Sequence, residues 1–250
     1  MVKLGIIEQV THPTAWVHPM VVVPKPSGKV RVMVDLTKLN KHTRRPYFPL
    51  HTPSDVLTEI QPGQKYFSLL DALKGYHQLP LAEESRDLTC FTTPWGRYRF
   101  VRGVMGCNIT SDEYERRMRE ILGDVPNVHT VVDDTLCATM TAPKHLERIV
   151  DILERCRQNR VTLSRDKFVF CQPSVAFVGY ILDSAGIHAD PNKVKAISEF
   201  PIPTNITDLR SFFGLIAQLA DYSTEVSAAA EPLRPLLQPQ NVFKWEDVHT

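Results

Sequence analysis

The sequence predicts an α+β fold in which short strands and amphipathic helices follow one another along the chain. Three observations predict it. Short β-branched runs recur, among them Met20-Val21-Val22-Val23 and Val30-Arg31-Val32-Met33-Val34. Over residues 143–159, Leu146, Ile149, Val150, Leu153 and Cys156 recur at helical spacing. Between these patterns, residues 128–137 read as a β-hairpin with Asp133 and Asp134 at or near its turn.

The elements follow in order. Residues 5–10 read as a short helix or turn. The two β-branched runs form a hairpin joined by Pro24-Lys25-Pro26-Ser27-Gly28-Lys29, a turn-rich loop that gives it a basic tip. Strand alternation puts Arg31 and Met33 on one face and Val30, Val32 and Val34 on the other. Residues 53–60 are helical, with Ser54 as N-cap. Tyr66-Phe67-Ser68-Leu69-Leu70-Asp71 is a strand that stops at an acid, followed by a turn through Lys74-Gly75 and an apolar stretch over 76–81. Residues 88–92 and 97–102 pair around Pro94-Trp95-Gly96. Residues 110–122 form a helix capped by Thr110 or Ser111, with Glu113 in its first turn. The acid hairpin and the helix over 143–159 come next, then strands at 168–170 and 175–182. From Pro191 onward the chain is mainly helical and punctuated by proline.

A length of 250 residues suits one large domain or two modest ones. No apolar run approaches the ~20 residues that cross a bilayer, and the opening residues lack the apolar stretch of a signal peptide. Cys90, Cys107, Cys137, Cys156 and Cys171 form no CxxC pair, which points to reduced thiols in an intracellular compartment. Net charge is +1, which counts mildly against a nucleic-acid binder. Distribution matters more. Lys25, Lys29, Arg31, Lys38, Lys41, Arg44 and Arg45 cluster against one acid, Asp35. Such a cluster is either a solvated face or the floor of a phosphate site. Neither a GxxxxGK[ST] loop nor a GxGxxG turn after a strand occurs, which sets aside the common mononucleotide and dinucleotide folds.

Taken alone, Asp133-Asp134 is ordinary turn chemistry. Two like charges beside apolar strands add little stability, however. Divalent cations sharing the carboxylates would account for them, because Mg²⁺ prefers oxygen ligands. Asp71 is a third carboxylate in similar surroundings.

Ordered motifs then carry a resemblance. Arg31-Val32-Met33-Val34-Asp35-Leu36-Thr37-Lys38-Leu39-Asn40, Tyr66–Asp71 with Gly75-Tyr76-His77-Gln78, and Thr92-Thr93-Pro94-Trp95-Gly96 come first. Val131-Val132-Asp133-Asp134, Phe177-Val178-Gly179, Asp190-Pro191-Asn192-Lys193 and Leu209–Leu215 follow. Each is weak alone. In this order and spacing the chain resembles the reverse transcriptase of gypsy-type (Metaviridae) LTR retrotransposons, the polymerase region of a Pol polyprotein. The resemblance implies a right-hand polymerase fold: fingers at 1–43 and 81–104, palm at 44–80 and 105–187, a partial helical thumb or connection at 188–240. Residues 241–250 resemble a truncated junction to an absent RNase H domain. It implies an intracellular protein of cytoplasmic virus-like particles with nuclear access, and no membrane association.

The implied activity is RNA- and DNA-directed DNA synthesis by two-metal nucleotidyl transfer. A decayed or co-opted copy that binds nucleic acid without polymerising is the rival. By resemblance, Asp71, Asp133 and Asp134 are catalytic and, with the Ala72 carbonyl, hold two Mg²⁺ ions, with Mn²⁺ as substitute. Lys25, Arg31, Ala72, Tyr76 and Met105 meet the deoxynucleoside triphosphate, Tyr76 excluding a ribose 2′-hydroxyl by bulk. The Lys25 role could slip to Lys29. Val131, Lys167 and Gly179 lie along the RNA or DNA template-primer. His77 is assigned to packing. Val131 stands where the family has tyrosine, Met105 where another nucleotide-touching residue is usual, and Thr37 where arginine is usual. These departures bear on nucleotide affinity, not on the fold.

Overall fold

The computed structural model describes residues 1–24, 28, 30–45, 52–220, 224–238, 241 and 243–246. The chain divides into two compact units, Met1–Val178 with Asp183–Gly186, and Gly179–Leu182 with Ile187–Thr250.

A 3₁₀ turn at Val2–Leu4 leads into β1 (Ile7–Val10), so residues 5–10 are largely strand rather than helix. β2 (His18–Pro24) and β3 (Val30–Val34) form the expected antiparallel hairpin, and a single turn, α1 (Thr37–Asn40), follows. α2 (Pro53–Glu59) is capped by Thr52, not Ser54: the Thr52 hydroxyl accepts the Asp55 N–H while the Asp55 carboxylate accepts the Thr52 N–H. Pro53 takes the first helical position, where no N–H is needed. β4 (Tyr66–Asp71), the short α3 (Glu83–Arg86), β5 (Phe91–Thr93) and β6 (Gly96–Phe100) come next.

α4 (Asn108–Leu122) starts before the expected Thr110 or Ser111 cap. Its first N–H is satisfied from elsewhere in the chain, by the Asn40 carboxamide oxygen at 3.2 Å. β7 (Val128–Val131), β8 (Asp134–Thr139), α5 (Ala142–Gln158) and β9 (Val169–Gln172) complete the centre of the first unit. The strand expected over 175–182 is broken into β10 (Ser174–Phe177) and β11 (Tyr180–Asp183). Val178 at φ 44° and Gly179 at φ 91° lie in the left-handed region, which no strand can pass through. β12 (Gly186–Ala189), α6 (Pro191–Ser198), α7 (Ile206–Ala220), α8 (Thr224–Ala230) and a 3₁₀ segment, Glu231–Leu237, follow.

One sheet of the first unit has the order β1-β6-β5-β2-β3, parallel only between β2 and β5. Its core joins Ile6, Val34, Leu36, Leu39, Phe91, Phe100 and Val104. The β2–β3 hairpin leaves this core toward its tip, where Val21, Val22, Val23 and Val30 are all more than a third exposed. The face expected to carry Val30, Val32 and Val34 is therefore covered only at its base, at Val34. Lys25 and Lys29 lie outside the described residues. Arg45 is not free for a ligand: its guanidinium makes a two-pronged pair with the buried Asp112, Nε to Oδ2 at 2.9 Å and Nη2 to Oδ1 at 2.7 Å.

The second sheet has the order β7-β8-β4-β9 and packs against α4 and α5. Leu70 and Ala72 meet Tyr114, Met118 and Leu122 of α4 and Ile149, Ile152 and Cys156 of α5, two stripes at helical spacing. The packed face of α5 is rotated from the one expected. His145, Ile149, Ile152 and Cys156 are buried, while Leu146, Val150 and Leu153 are exposed. The His145 ring sets that rotation, because Ser68 of β4 and Thr139 of β8 hold it at 2.7 and 2.9 Å. In the second unit, Leu209, Leu233 and Leu236 form a small core with Phe212, Phe213 and Trp245 around it.

Candidate active site

Strand pairing assembles the acids. Asp71 ends β4 directly opposite Asp134, which opens β8. The β7–β8 ladder runs to the Val131–Asp134 pair, which leaves Val132 and Asp133 as a two-residue turn. All three carboxylates thus lie at one end of the four-stranded sheet. Val132 holds φ at 54°, a conformation that favours glycine and costs a β-branched residue about 1–3 kcal/mol. The local sequence does not favour that turn. The ladders on both sides impose it.

Lys167, in the 3₁₀ turn Arg165–Lys167, donates to Asp71 Oδ2 at 2.6 Å. This bond holds the ammonium above the ordinary lysine range, helped by the charges of Asp71, Asp134 and Asp133. Burial, then the charges of Asp71 and Asp134, push the Asp133 carboxyl above the usual carboxylate range. Burial and Asp71 do the same to Asp134. Among the described residues no three His, Cys, Asp or Glu side chains are already gathered into a metal cage. The donor set nonetheless suits a hard divalent cation. It consists of carboxylate oxygens, one of which, Asp133 Oδ1, is buried with no hydrogen-bond partner. The Ala72 carbonyl takes no part in the pairing with Leu163. Around the Ala72–Leu163 bridge the hydrogen bonds go from Leu73 N–H to Thr162 O and from Ser164 N–H to Asp71 O.

The segment after β4 is stitched down on both sides. The Gln78 amide donates to the Leu73 and Thr162 carbonyls, and its oxygen accepts the Thr162 N–H at 2.8 Å. Tyr76 is half-buried and stacks edge-on against Tyr114, with centroids 5.5 Å apart. Burial raises its hydroxyl pKa against a hydrogen bond with Ser111, and Asp133 is the next charge to act on it. The ring expected to face the sugar packs against the core of Leu70, Ala72 and Tyr114. His77 does more than pack: its ring Nδ1–H donates to the Gly103 carbonyl at 2.9 Å, and burial lowers its pKa from the ordinary value. Gly103 approaches so closely that a Cβ there would lie 2.4 Å from the Tyr76 carbonyl oxygen. At the other end of this segment, the Asn40 amide donates to Gly106 O at 2.8 Å. Met105 is therefore carried on a short run clamped at Gly103 and at Gly106–Asn108.

Of the other expected residues, Val131 is buried at the end of β7. Arg31 is exposed on β3. Lys167 joins the acids themselves. Gly179 belongs to the second unit. Sequence reasoning assigned no role to Asn40, Gln78 or Tyr114. Only Tyr114 had a local signal, its helical spacing with Met118 and Leu122.

The chain matches the family described as "Reverse transcriptase (RNA-dependent DNA polymerase)" over residues 23–182. Among curated proteins it is 30% identical over 243 residues to the "Retrovirus-related Pol polyprotein from transposon 297" of Drosophila melanogaster, covering 95% of this chain and 23% of that protein. It is 31% identical over 215 residues to the corresponding polyprotein from transposon gypsy of the same fly, covering 84% of this chain and 20% of the relative. The chain thus spans under a quarter of the length of these relatives. Among solved structures, the foamy viral protease-reverse transcriptase dRH in complex with double-stranded DNA superimposes with a TM-score of 0.92 at 23% identity, over 99% of this chain and 44% of that one. The foamy viral protease-reverse transcriptase in complex with an RNA/DNA hybrid gives 0.88 at 22% identity, over 99% of this chain and 33% of the other.

Proposed function

We propose that this chain, which belongs to the reverse transcriptase (RNA-dependent DNA polymerase) family, copies RNA and DNA templates into DNA as the polymerase part of a retroelement Pol polyprotein. Its fold is the right-hand polymerase fold. We assign residues 1–43 and 81–104 to the fingers, 44–80 and 105–187 to the palm, and 188–240 to the thumb or connection. One observation carries the activity: Asp71 stands opposite Asp134, with Asp133 in the adjoining turn.

Asp71, Asp133, Asp134 and the Ala72 carbonyl would hold two Mg²⁺ ions. Bound there, such ions activate a primer 3′-hydroxyl and neutralise the triphosphate and departing pyrophosphate. The protein's own groups do the rest. The Tyr76 ring packs under the sugar, Met105 and its clamped run border the nucleotide, and Arg31 and Lys25 meet phosphates. Nucleic-acid partners fit this reading, since the structural relatives were solved with double-stranded DNA and an RNA/DNA hybrid.

Primer extension on an RNA template with Mg²⁺ tests it. Deoxynucleotide incorporation is expected, and Asp133→Asn should lower it by several orders of magnitude while primer-template binding persists. Tight template-primer binding with no extension by the parent would favour the rival, a copy that binds without polymerising.

A further inference from the structure

Among the buried polar atoms that lack hydrogen-bond partners are the Tyr114 hydroxyl, whose ring packs with Leu70 and Ala72 on either side of Asp71, and Asp133 Oδ1. Tyr114 is only 3% exposed. Orphaned buried groups are rare in folded proteins, so a pair in one neighbourhood calls for a reason. The pair is complementary, because a phenol donates and a carboxylate accepts. Burial raises the Tyr114 hydroxyl pKa, and Asp133 is the foremost charge acting on it, with Cys156 and then Asp71 behind.

The ring side of this pair is held in place. The Tyr114 ring is carried into the core by α4 and stacks edge-on with Tyr76. Gly75 presses on it so closely that a Cβ would lie 2.8 Å from the ring. Asp133 sits in the two-residue turn, outside the ladder.

We propose that Tyr114 is a positioning residue for Asp133. Its hydroxyl donates to the Asp133 carboxylate when the acid cluster takes up a divalent cation, and this fixes the orientation that the carboxylate presents to the cation. The inference rests on the metal-holding role assigned above to the acids. It explains why a tyrosine occupies a core position that phenylalanine would fill without an orphaned hydroxyl.

Tyr114→Phe removes that hydroxyl and leaves the ring. Mn²⁺ binding to the full chain, followed by electron paramagnetic resonance without nucleotide, should weaken by about tenfold, the scale for losing a group that orients a metal ligand. In primer extension, kcat should fall by a similar factor while KM for the deoxynucleotide holds. Thermal stability should be unchanged or higher, since the variant loses an unpaired buried group. A second readout is the ζ-carbon resonance of Tyr114 in tyrosine-labelled protein. Mg²⁺ should shift it in the parent and not in Asp133→Asn. Unchanged Mn²⁺ affinity in Tyr114→Phe, or a Tyr114 resonance indifferent to Mg²⁺, overturns the proposal. A parent that binds Mn²⁺ but does not extend primers would instead sink the polymerase reading and leave this comparison standing.

Discussion

Lys167 Nζ lies 2.6 Å from Asp71 Oδ2, so an ammonium shares the carboxylate that β4 presents opposite Asp134. The acids repel one another, and Lys167 is the cation that offsets this in the free protein. A divalent ion entering the cluster must compete with it.

Lys167→Ala should therefore tighten Mn²⁺ binding to the protein without nucleotide by several-fold. Calorimetric titration of parent and variant measures it. Weaker binding in the variant would mean that Lys167 helps to build the cluster rather than competing for it.

Sugar choice should depend on Tyr76. The ring is backed by Tyr114, and the close Gly103 approach holds the Tyr76 backbone, so the ring cannot easily yield to a ribose 2′-hydroxyl. Tyr76→Ala should relax deoxynucleotide selection and lower overall efficiency. The ratio of kcat/KM for a deoxynucleotide and its ribonucleotide is the measurement. A ratio that stays put in an active variant would make Tyr76 a plain core aromatic.

The two neighbouring arginines should behave differently. Arg45 is bound to Asp112, whose side chain is 3% exposed, while Arg44 is exposed on the same short stretch. Arg45→Ala strands a buried carboxylate and should lower Tm by several degrees. Arg44→Ala should leave Tm alone and reduce the salt dependence of primer-template binding by about one unit of slope. Equal Tm values for the two variants would contradict the Asp112 pairing.

Acid should weaken the fold before it touches the carboxylates. His145 is fully buried between Ser68 and Thr139, and burial lowers its pKa from the ordinary 6.5. Burial acts on His77 and His129 in the same direction. Such groups bind protons more readily in the unfolded chain. Stability is therefore full above about pH 6.5 and declines as pH falls toward the lowered native values. Denaturant midpoints from pH 7.5 down to 6.0 should drop, and His145→Gln should flatten the slope. A parent whose midpoint is flat over that range would rule out a buried neutral His145.

The sequence by itself determined most of the local structure and the identity of the acids. Alternating β-branched runs, the proline-bounded turns and the hairpin signal around Asp133-Asp134 marked the strands near the site, because period and turn chemistry are written in neighbouring residues. The family motifs also singled out Asp71 and Tyr76, while Lys167 was expected along the template-primer rather than on Asp71. What a neighbour many residues away must satisfy was not legible. Residues 5–10 read as helix or turn and became β1 because β6 offered a ladder. α4 begins at Asn108 because Asn40 accepts its first N–H. Ser68 and Thr139 turned α5 about its axis by holding His145. The same holds at the site, where Lys167 meets Asp71 across 96 residues. The unpaired Tyr114 hydroxyl is an atom that only the packed core leaves orphaned. Periodicity and motif report which face a residue takes. Hydrogen-bond satisfaction is settled only when distant segments are brought together, and that decided the clamps, the ion pairs and the strained Val132 turn.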